Sequence, residues 1–303
     1  MTHDKDGLTV TDSNVTKVDA IDRRTFFGAF VAKRTPVVIR NLASWWSALE
    51  WDLNYFRSFA GDTKLPVKIG DVSKGVLKDV RLNDYLDSLA EFEIRLRAGE
   101  GATAPGYLHD VPFFRLFPIL RADVEPFPLQ LFPEWYWPNW HQYVQYFMGP
   151  TGSVTPLHFD TLMTNNLFFQ VVGRKRFILI PMEQRGCCYM RGWRWAQFDP
   201  SEPDFAAFPR SVAVTPTAVV LEPGEVLYIP PGTLHYVQAL SMSISFNIDW
   251  HTARTALRGV MTVFEGAPLR NGYYNLLSLL GLGLGIPEHI IFRWYKSYLN
   301  YVS

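Results

Sequence analysis

From Tyr143 to Trp250 the chain is written in short runs at strand spacing: "YVQYFMG", "NLFFQVV", "RKRFILIP", "SVAVTP", "AVVLE", "EVLYIP", "HYVQAL" and "MSISFNIDW", each bounded by Gly, Pro or Asn. Many short strands joined by tight turns bury their apolar faces as a sandwich or a small barrel. The 303 residues, 48% of them hydrophobic, are enough for a proper core.

The flanks read differently. Before the strands, an amphipathic helix is expected around Phe26 to Val31, a strand at "PVVIR", helical spacing through Trp46, Leu49, Leu53 and Phe56, a strand at "LPVKIGD", and a helix over "RLNDYLDSLAEFEIRLRAG" with "NDYL" as its capped start. The stretch from Thr103 to Gln142 is dense in Pro and aromatics and reads as a packed, irregular connection. After His251 the period is helical again, in "ARTALRGVMTVFEG" and "PEHIIFRWYKSYLNYV". The expected organisation is a polar tail over 1–19, a mixed α/β part over 20–142, a strand-built core over 143–250 and a helical region over 251–303. Apolar "NLLSLLGLGLGIP" falls short of the roughly 20 residues of a membrane span and reads as a buried helix.

Charge narrows the function. Lys plus Arg and Asp plus Glu both count 29, so no net basic field draws in nucleic acid, and a polyanion-coating role is disfavoured. The adjacent Cys187 and Cys188 suit a reducing compartment, and "MTHDKDGLTVTDSNVTKVD" lacks the apolar run of a secretory signal, so a cytoplasmic protein is expected.

The chemistry concentrates in "TPLHFDTLMTNNLFFQVVGRKRFILIP", whose middle reads as an apolar hairpin. His158 and Asp160 stand two apart, so on a strand they face one side. His235 opens a strand after "EPGEVLYIPPGTL". If the barrel closes, His158, Asp160 and His235 meet as two histidines and one carboxylate, the facial set that leaves three positions open on a non-haem Fe(II) ion. A 2-oxo acid can fill two of these positions and O2 the third. Lys175 shares parity with Phe177 and Leu179, whereas Arg174 and Arg176 share the other face with Ile178 and Ile180. A buried lysine is costly unless a carboxylate meets it. A second carboxylate on the 2-oxo acid would do so. No G-x-S-x-G, P-loop or C-x-x-C signal competes with this reading.

These residues resemble the JmjC-type, cupin-like 2-oxoglutarate oxygenases, in particular the hydroxylase branch that includes factor inhibiting HIF. The resemblance runs over roughly residues 20 to 250, through "RTPVVIRNLASWWSALEWDLNYFRSFAGD", "YFMGPTGSVTPLHFD", "VVGRKRFILIP" and "EPGEVLYIPPGTLHYVQALSMSISFNIDW". It implies a mainly β double-stranded β-helix, or jelly-roll barrel, with a mixed α/β N-terminal segment and a helical C-terminal tail. It implies that His158, Asp160 and His235 ligate iron, and that Lys175 and Thr155 bind the distal carboxylate of 2-oxoglutarate with a further hydroxyl from Tyr107. Asn247 matches a polar position near the iron and co-substrate, and Asn166, nine residues before Lys175 as an Asn is in the factor-inhibiting-HIF pattern, is implied to bind co-substrate. Two departures stand out: "TLMTN" is two residues longer than in that relative, and "GTLH" has Thr233 and Leu234 where aromatics are common.

The implied reaction is hydroxylation of an unactivated C–H bond with release of succinate and CO2, most readily on a side chain of a protein or peptide. A tRNA base, a small metabolite, N-methyl-lysine demethylation and a non-catalytic binding module are the alternatives. The remaining histidines, His3, His109, His141, His251 and His289, call for no role. Related hydroxylases pair through C-terminal helices, and the run of leucines from Leu276 to Leu284 needs burial, so a homodimer is expected.

Overall fold

The computed structural model describes residues 11–12 and 15–299. Most of the expected polar tail, with His3, lies outside them. Its described part is not idle: Thr16–Val18 forms a short strand.

The barrel consists of β1 (Val144–Gly149), β2 (Val154–His158), β3 (Asn165–Val172), β4 (Lys175–Ile180), β5 (Thr217–Leu221), β6 (Val226–Ile229), β7 (Leu234–Ala239) and β8 (Ser243–Trp250). These pair antiparallel in two sheets, ordered β5-β4-β7-β2 and β6-β3-β8-β1. The chain changes sheet between β1 and β2, β2 and β3, β3 and β4, and in each step from β5 to β8. This alternation is the jelly-roll topology. It corrects the expected hairpin, because β3 and β4 lie in opposite sheets although they adjoin in sequence. Gly173 makes that turn at φ +70°, where an added Cβ would lie 2.0 Å from the Met242 carbonyl oxygen, so only glycine fits.

Edges are covered from outside the core. Val37–Ile39 pairs with β6, Leu108–Val111 with β1, and Trp195–Ala196 with β2. Two other expectations fail locally. "SVAVTP" holds no strand: Pro209–Ala213 is a 3-10 turn. The helix over Leu82–Arg97 starts behind Arg81 without a side-chain cap, so "NDYL" does not cap it.

Three packed layers follow. Phe177, Leu179, Val219, Leu227, Ile229 and Phe168 fill the space between the sheets. Behind the β6-β3-β8-β1 sheet lies a large aromatic core that includes Trp46, Phe56, Tyr146, Phe246 and Trp250. It is closed by helices α1 (Leu53–Ala60), α2 (Leu82–Arg97), α4 (Leu269–Leu284) and α5 (Glu288–Leu299), with α3 (Ala253–Met261) packed against α4. Behind the other sheet, Ile178, Ile180 and Leu234 pack under Cys188, Phe198 and Val214, contributed by the segment between β4 and β5. This cover explains why Ile178 and Ile180 sit on the outer face. Each such fully buried Ile or Phe contributes roughly 1.5–3 kcal/mol. Among the described residues no helix is long and apolar enough to cross a membrane.

Candidate metal and co-substrate site

His158 ends β2 and His235 follows the first residue of β7, and the two are direct cross-strand partners. Their rings lie 4.2 Å apart. Asp160 stands just past the end of β2, in the turn toward β3. One ligand atom from each of His158, Asp160 and His235 falls within 4.8 Å of the others.

The surroundings orient all three. His158 Nδ1 donates to the Pro156 carbonyl at 2.8 Å and His235 Nδ1 to the Thr233 carbonyl at 3.1 Å. A carbonyl only accepts, so both rings carry their proton on Nδ1 and present a bare Nε2. Burial, reinforced by His235 and Arg194, pushes the His158 imidazolium well below its ordinary range, which favours the neutral, ligating form. Asn166 Nδ2 donates to Asp160 Oδ2 at 3.1 Å, and Oδ1 is left facing His235 Nε2 at 3.7 Å. The donor set suits iron: two neutral imidazoles and one carboxylate, each held by an outer partner. Asn166 is expected to bind co-substrate, whereas its amide here braces the Asp160 carboxylate. The two extra residues of the loop do not loosen it, because the Thr161 carbonyl accepts from Trp193 Nε1 and Asn271 Nδ2, both at 2.9 Å.

Thr155 stands three residues before His158, and regular alternation would put them on opposite faces. A bulge reverses this: Val237 pairs with Thr155 while His235 pairs with His158, so one extra residue sits on β2. Pro156, without an N–H, occupies the irregularity. Thr155 therefore shares the inner face.

At the far end of the same cavity Lys175 is 1% exposed. Its Nζ donates to Tyr107 Oη at 2.8 Å and to Ser245 Oγ at 2.7 Å. Burial pushes the ammonium down to about 7, with Asp110 partly opposing the shift. The rings of Tyr107, Phe147 and Phe168 surround Nζ at 5.1–5.4 Å. Tyr107 reaches this point because Gly149 admits it: a Cβ there would lie 2.5 Å from the tyrosine ring. Tyr107, Thr155, Asn166, Lys175 and Asn247 all line one cavity with the three metal-ligand candidates. Buried Gln145 Nε2, Asn166 Oδ1 and Asn247 Oδ1, on its walls, have no protein partner. Polar atoms of this kind await a polar ligand.

Several residues of the site escaped the sequence reading. β8 alternates strictly, with Ile244, Phe246, Ile248 and Trp250 in the aromatic core and Ser245, Asn247 and Asp249 on the cavity side. That alternation was visible in "SISFNIDW", but only Asn247 was singled out. Burial, with Asp160 and Asp110 nearby, raises the Asp249 carboxyl well above its ordinary value. His109, expected to have no role, lines the cavity with Asp110. Of the two tryptophans in "RGWRWAQFD", Trp193 packs edge-on against Phe159 and covers the sheet. Trp195 lies 4.9 Å from the His158 ring, with Arg194 stacked on it at 4.5 Å, and Arg194 also lines the cavity.

A family model described as a cupin-like domain matches residues 23–256. The chain belongs to the cupin-like family. Among curated proteins, it is 30% identical to "Lysine-specific demethylase JMJ30" of Arabidopsis thaliana, over 80% of this chain and 56% of that protein. It is 26% identical to "2-oxoglutarate and iron-dependent oxygenase JMJD4" of Gallus gallus, over 78% and 59%. It is 21% identical to "tRNA wybutosine-synthesizing protein 5" of Gallus gallus, over 78% and 76%. The chain thus spans little more than half of the first two. Within the cupin-like family these likenesses and the His–Asp–His cluster put it with the JmjC-type oxygenases, which depend on iron and 2-oxoglutarate.

Proposed function

We propose that this cupin-like protein hydroxylates a side-chain carbon of a protein or peptide. His158, Asp160 and His235 would hold iron through Nε2, one carboxylate oxygen and Nε2. Bound there, iron supplies the oxidative chemistry by which O2 and 2-oxoglutarate yield succinate, CO2 and one hydroxyl on the substrate. The chain's residues bind and aim. Lys175, Thr155 and Tyr107 would anchor the distal carboxylate, and the aromatic walls around Lys175 exclude water there. The observation that carries the reading is the common inner face. Three oriented ligand atoms and a buried, counterion-poor lysine open on one cavity.

The substrate class rests on the mouth. Trp195 and Arg194 flank the metal end, where an extended peptide can lie. The formal net charge of +0 offers no field for a polyanion. Binding of a peptide substrate should then change little between low and moderate salt, whereas a tRNA substrate would lose affinity log-linearly as counterions are released. Mass spectrometry of peptide pools and of tRNA after incubation with enzyme, Fe(II), 2-oxoglutarate and O2 tests this. One added oxygen on a peptide supports the proposal. Oxygen found only in tRNA, or loss of a methyl group from lysine, refutes it.

We also infer a homodimer through the C-terminal helices. Leu276 on α4 and Trp294 on α5 are 44% and 52% exposed, and a partner helix could cover such large apolar side chains. A monomer by light scattering at micromolar concentration would refute the dimer.

A further inference from the structure

His109 and Asp110 are neighbours on one strand, yet both line the cavity. A bulge makes this possible: Leu108 pairs with Met148 and Val111 with Tyr146, so one extra residue lies on the 108–111 strand. Asp110 takes it up at φ +61°, a left-handed conformation that Asp tolerates better than most residues. The turn brings four side chains into line. Asp110 Oδ2 lies 2.8 Å from His109 Nδ1, Lys68 Nζ lies 3.0 Å from the same Nδ1 and 3.4 Å from Asp110 Oδ2, and His109 Nε2 lies 3.1 Å from Thr155 Oγ1. Lys68 is 1% exposed and His109 8%. No metal ligand takes part.

Nδ1 thus has two rival partners of opposite character. A carboxylate only accepts and an ammonium only donates. Burial would raise the Asp110 carboxyl, but His109 and Lys68 outweigh it and hold the group ionised, well below its ordinary range. Burial also pushes the His109 imidazolium down to about 4, against the pull of Asp110, so near neutral pH the ring carries one proton. With that proton on Nδ1, the ring donates to Asp110, and its bare Nε2 accepts the Thr155 hydroxyl. The hydroxyl is then turned away from any carboxylate at Lys175. With the proton on Nε2, Lys68 donates to the bare Nδ1, the ring donates to Thr155 Oγ1, and the Thr155 hydrogen is free for the cavity. In each tautomer one neighbour bonds Nδ1 and the other is held by the Lys68–Asp110 ion pair at 3.4 Å, and no proton is gained or lost between them.

We propose that His109 is a positioning residue for the Thr155 hydroxyl, exchanging tautomer between Asp110 and Lys68 so that Thr155 can donate to the distal carboxylate of 2-oxoglutarate. The proposal rests on the reading that this carboxylate sits between Lys175 and Thr155. Nothing in the reaction requires His109 to touch the substrate; it acts through Thr155.

The direct test is nitrogen NMR on zinc-loaded protein with labelled histidine. On saturation with 2-oxoglutarate the His109 proton should move from Nδ1 to Nε2; an unchanged tautomer overturns the proposal. Calorimetry on the iron(II) protein without oxygen supplies the second arm. A Gln amide reaches the position of Nε2 and can donate to Thr155, whereas an Asn amide reaches only that of Nδ1. His109→Asn should weaken 2-oxoglutarate binding by about tenfold and His109→Gln by less than about threefold. In a Thr155→Val background His109→Asn should add almost nothing. Equal losses in Gln and Asn, or full additivity, would mark a merely structural histidine. If His109→Asn does not fold, the NMR result on the unmutated ring decides alone. Thr155→Val that binds 2-oxoglutarate like the parent would remove the carboxylate placement and the proposal with it. Thr155→Val that binds weakly, beside an unmoved tautomer, would remove the proposal alone.

Discussion

The two ends of the cavity are built on different principles. At the metal end, residues from β2, the turn after it and β7 converge, and each ligand has one outer partner: a backbone carbonyl for either histidine and Asn166 for the aspartate. At the lysine end, Lys175 on β4 meets Tyr107 from the N-terminal segment and Ser245 on β8, the latter two in the opposite sheet or next to it. The metal end is local and rigidly aimed. The lysine end is a composite that forms only when both sheets close. A charge awaits a counter-charge at each end, and the two ends should fail separately.

The largest separation comes from the ligands. His158→Ala, Asp160→Ala and His235→Ala should each abolish 2-oxoglutarate turnover and lower metal affinity by more than the roughly 10–100-fold typical of losing an outer partner, with far-ultraviolet circular dichroism unchanged. A His235→Ala protein that binds iron normally would break the comparison at its metal end.

Lys175→Ala should act in the opposite sense, raising the KM for 2-oxoglutarate by an amount equivalent to about 2–5 kcal/mol with little change in metal affinity measured by calorimetry. Lys175→Arg should also bind poorly, because a planar fork does not replace a point charge among three rings. Equal damage to metal and co-substrate binding would merge the two ends.

Asn166→Ala tests the bracing of the metal end. Without its bond to Asp160 Oδ2 the carboxylate can turn, and metal affinity should fall about 10-fold, while KM for 2-oxoglutarate changes less than in Lys175→Ala. A larger effect on KM than on metal binding would return Asn166 to the co-substrate.

The lysine end also has a pH signature that the metal end lacks. Lys175 in the free protein titrates at about 7, and a bound carboxylate must raise that value. Above pH 7 the free protein loses the proton that the complex keeps, so binding takes up a proton and affinity falls as pH rises, by up to about tenfold per unit. Below pH 7 the lysine is charged in both states and its dependence disappears. Binding titrations from pH 6 to 9 should show this slope in the parent and not in Lys175→Ala.

How much of this could be read from the sequence follows the same division. His158, Asp160 and His235 were legible because spacing and turn signals survive in one dimension, and Lys175 because its neighbours Phe177 and Leu179 declare an inner face. Thr155 was found through resemblance, since its true facing depends on the bulge at Pro156. His109 and Asp110 were missed for the same reason: a bulge turns both inward, and plain alternation forbids it. The hairpin assumed between β3 and β4 failed because a glycine turn that looks like a hairpin loop serves equally to cross between sheets. Strand identity is written locally, but partner choice is written in the closure of the whole barrel.

The most direct test of the central claim is release of labelled CO2 from 2-oxoglutarate labelled at its first carbon, with purified protein, Fe(II) and O2. The account predicts CO2 and succinate in equal amounts, lost in His235→Ala at any 2-oxoglutarate concentration and restored in Lys175→Ala by raising that concentration. Equal CO2 release by His235→Ala and the parent, or 2-oxoglutarate bound without any CO2 released, would contradict it.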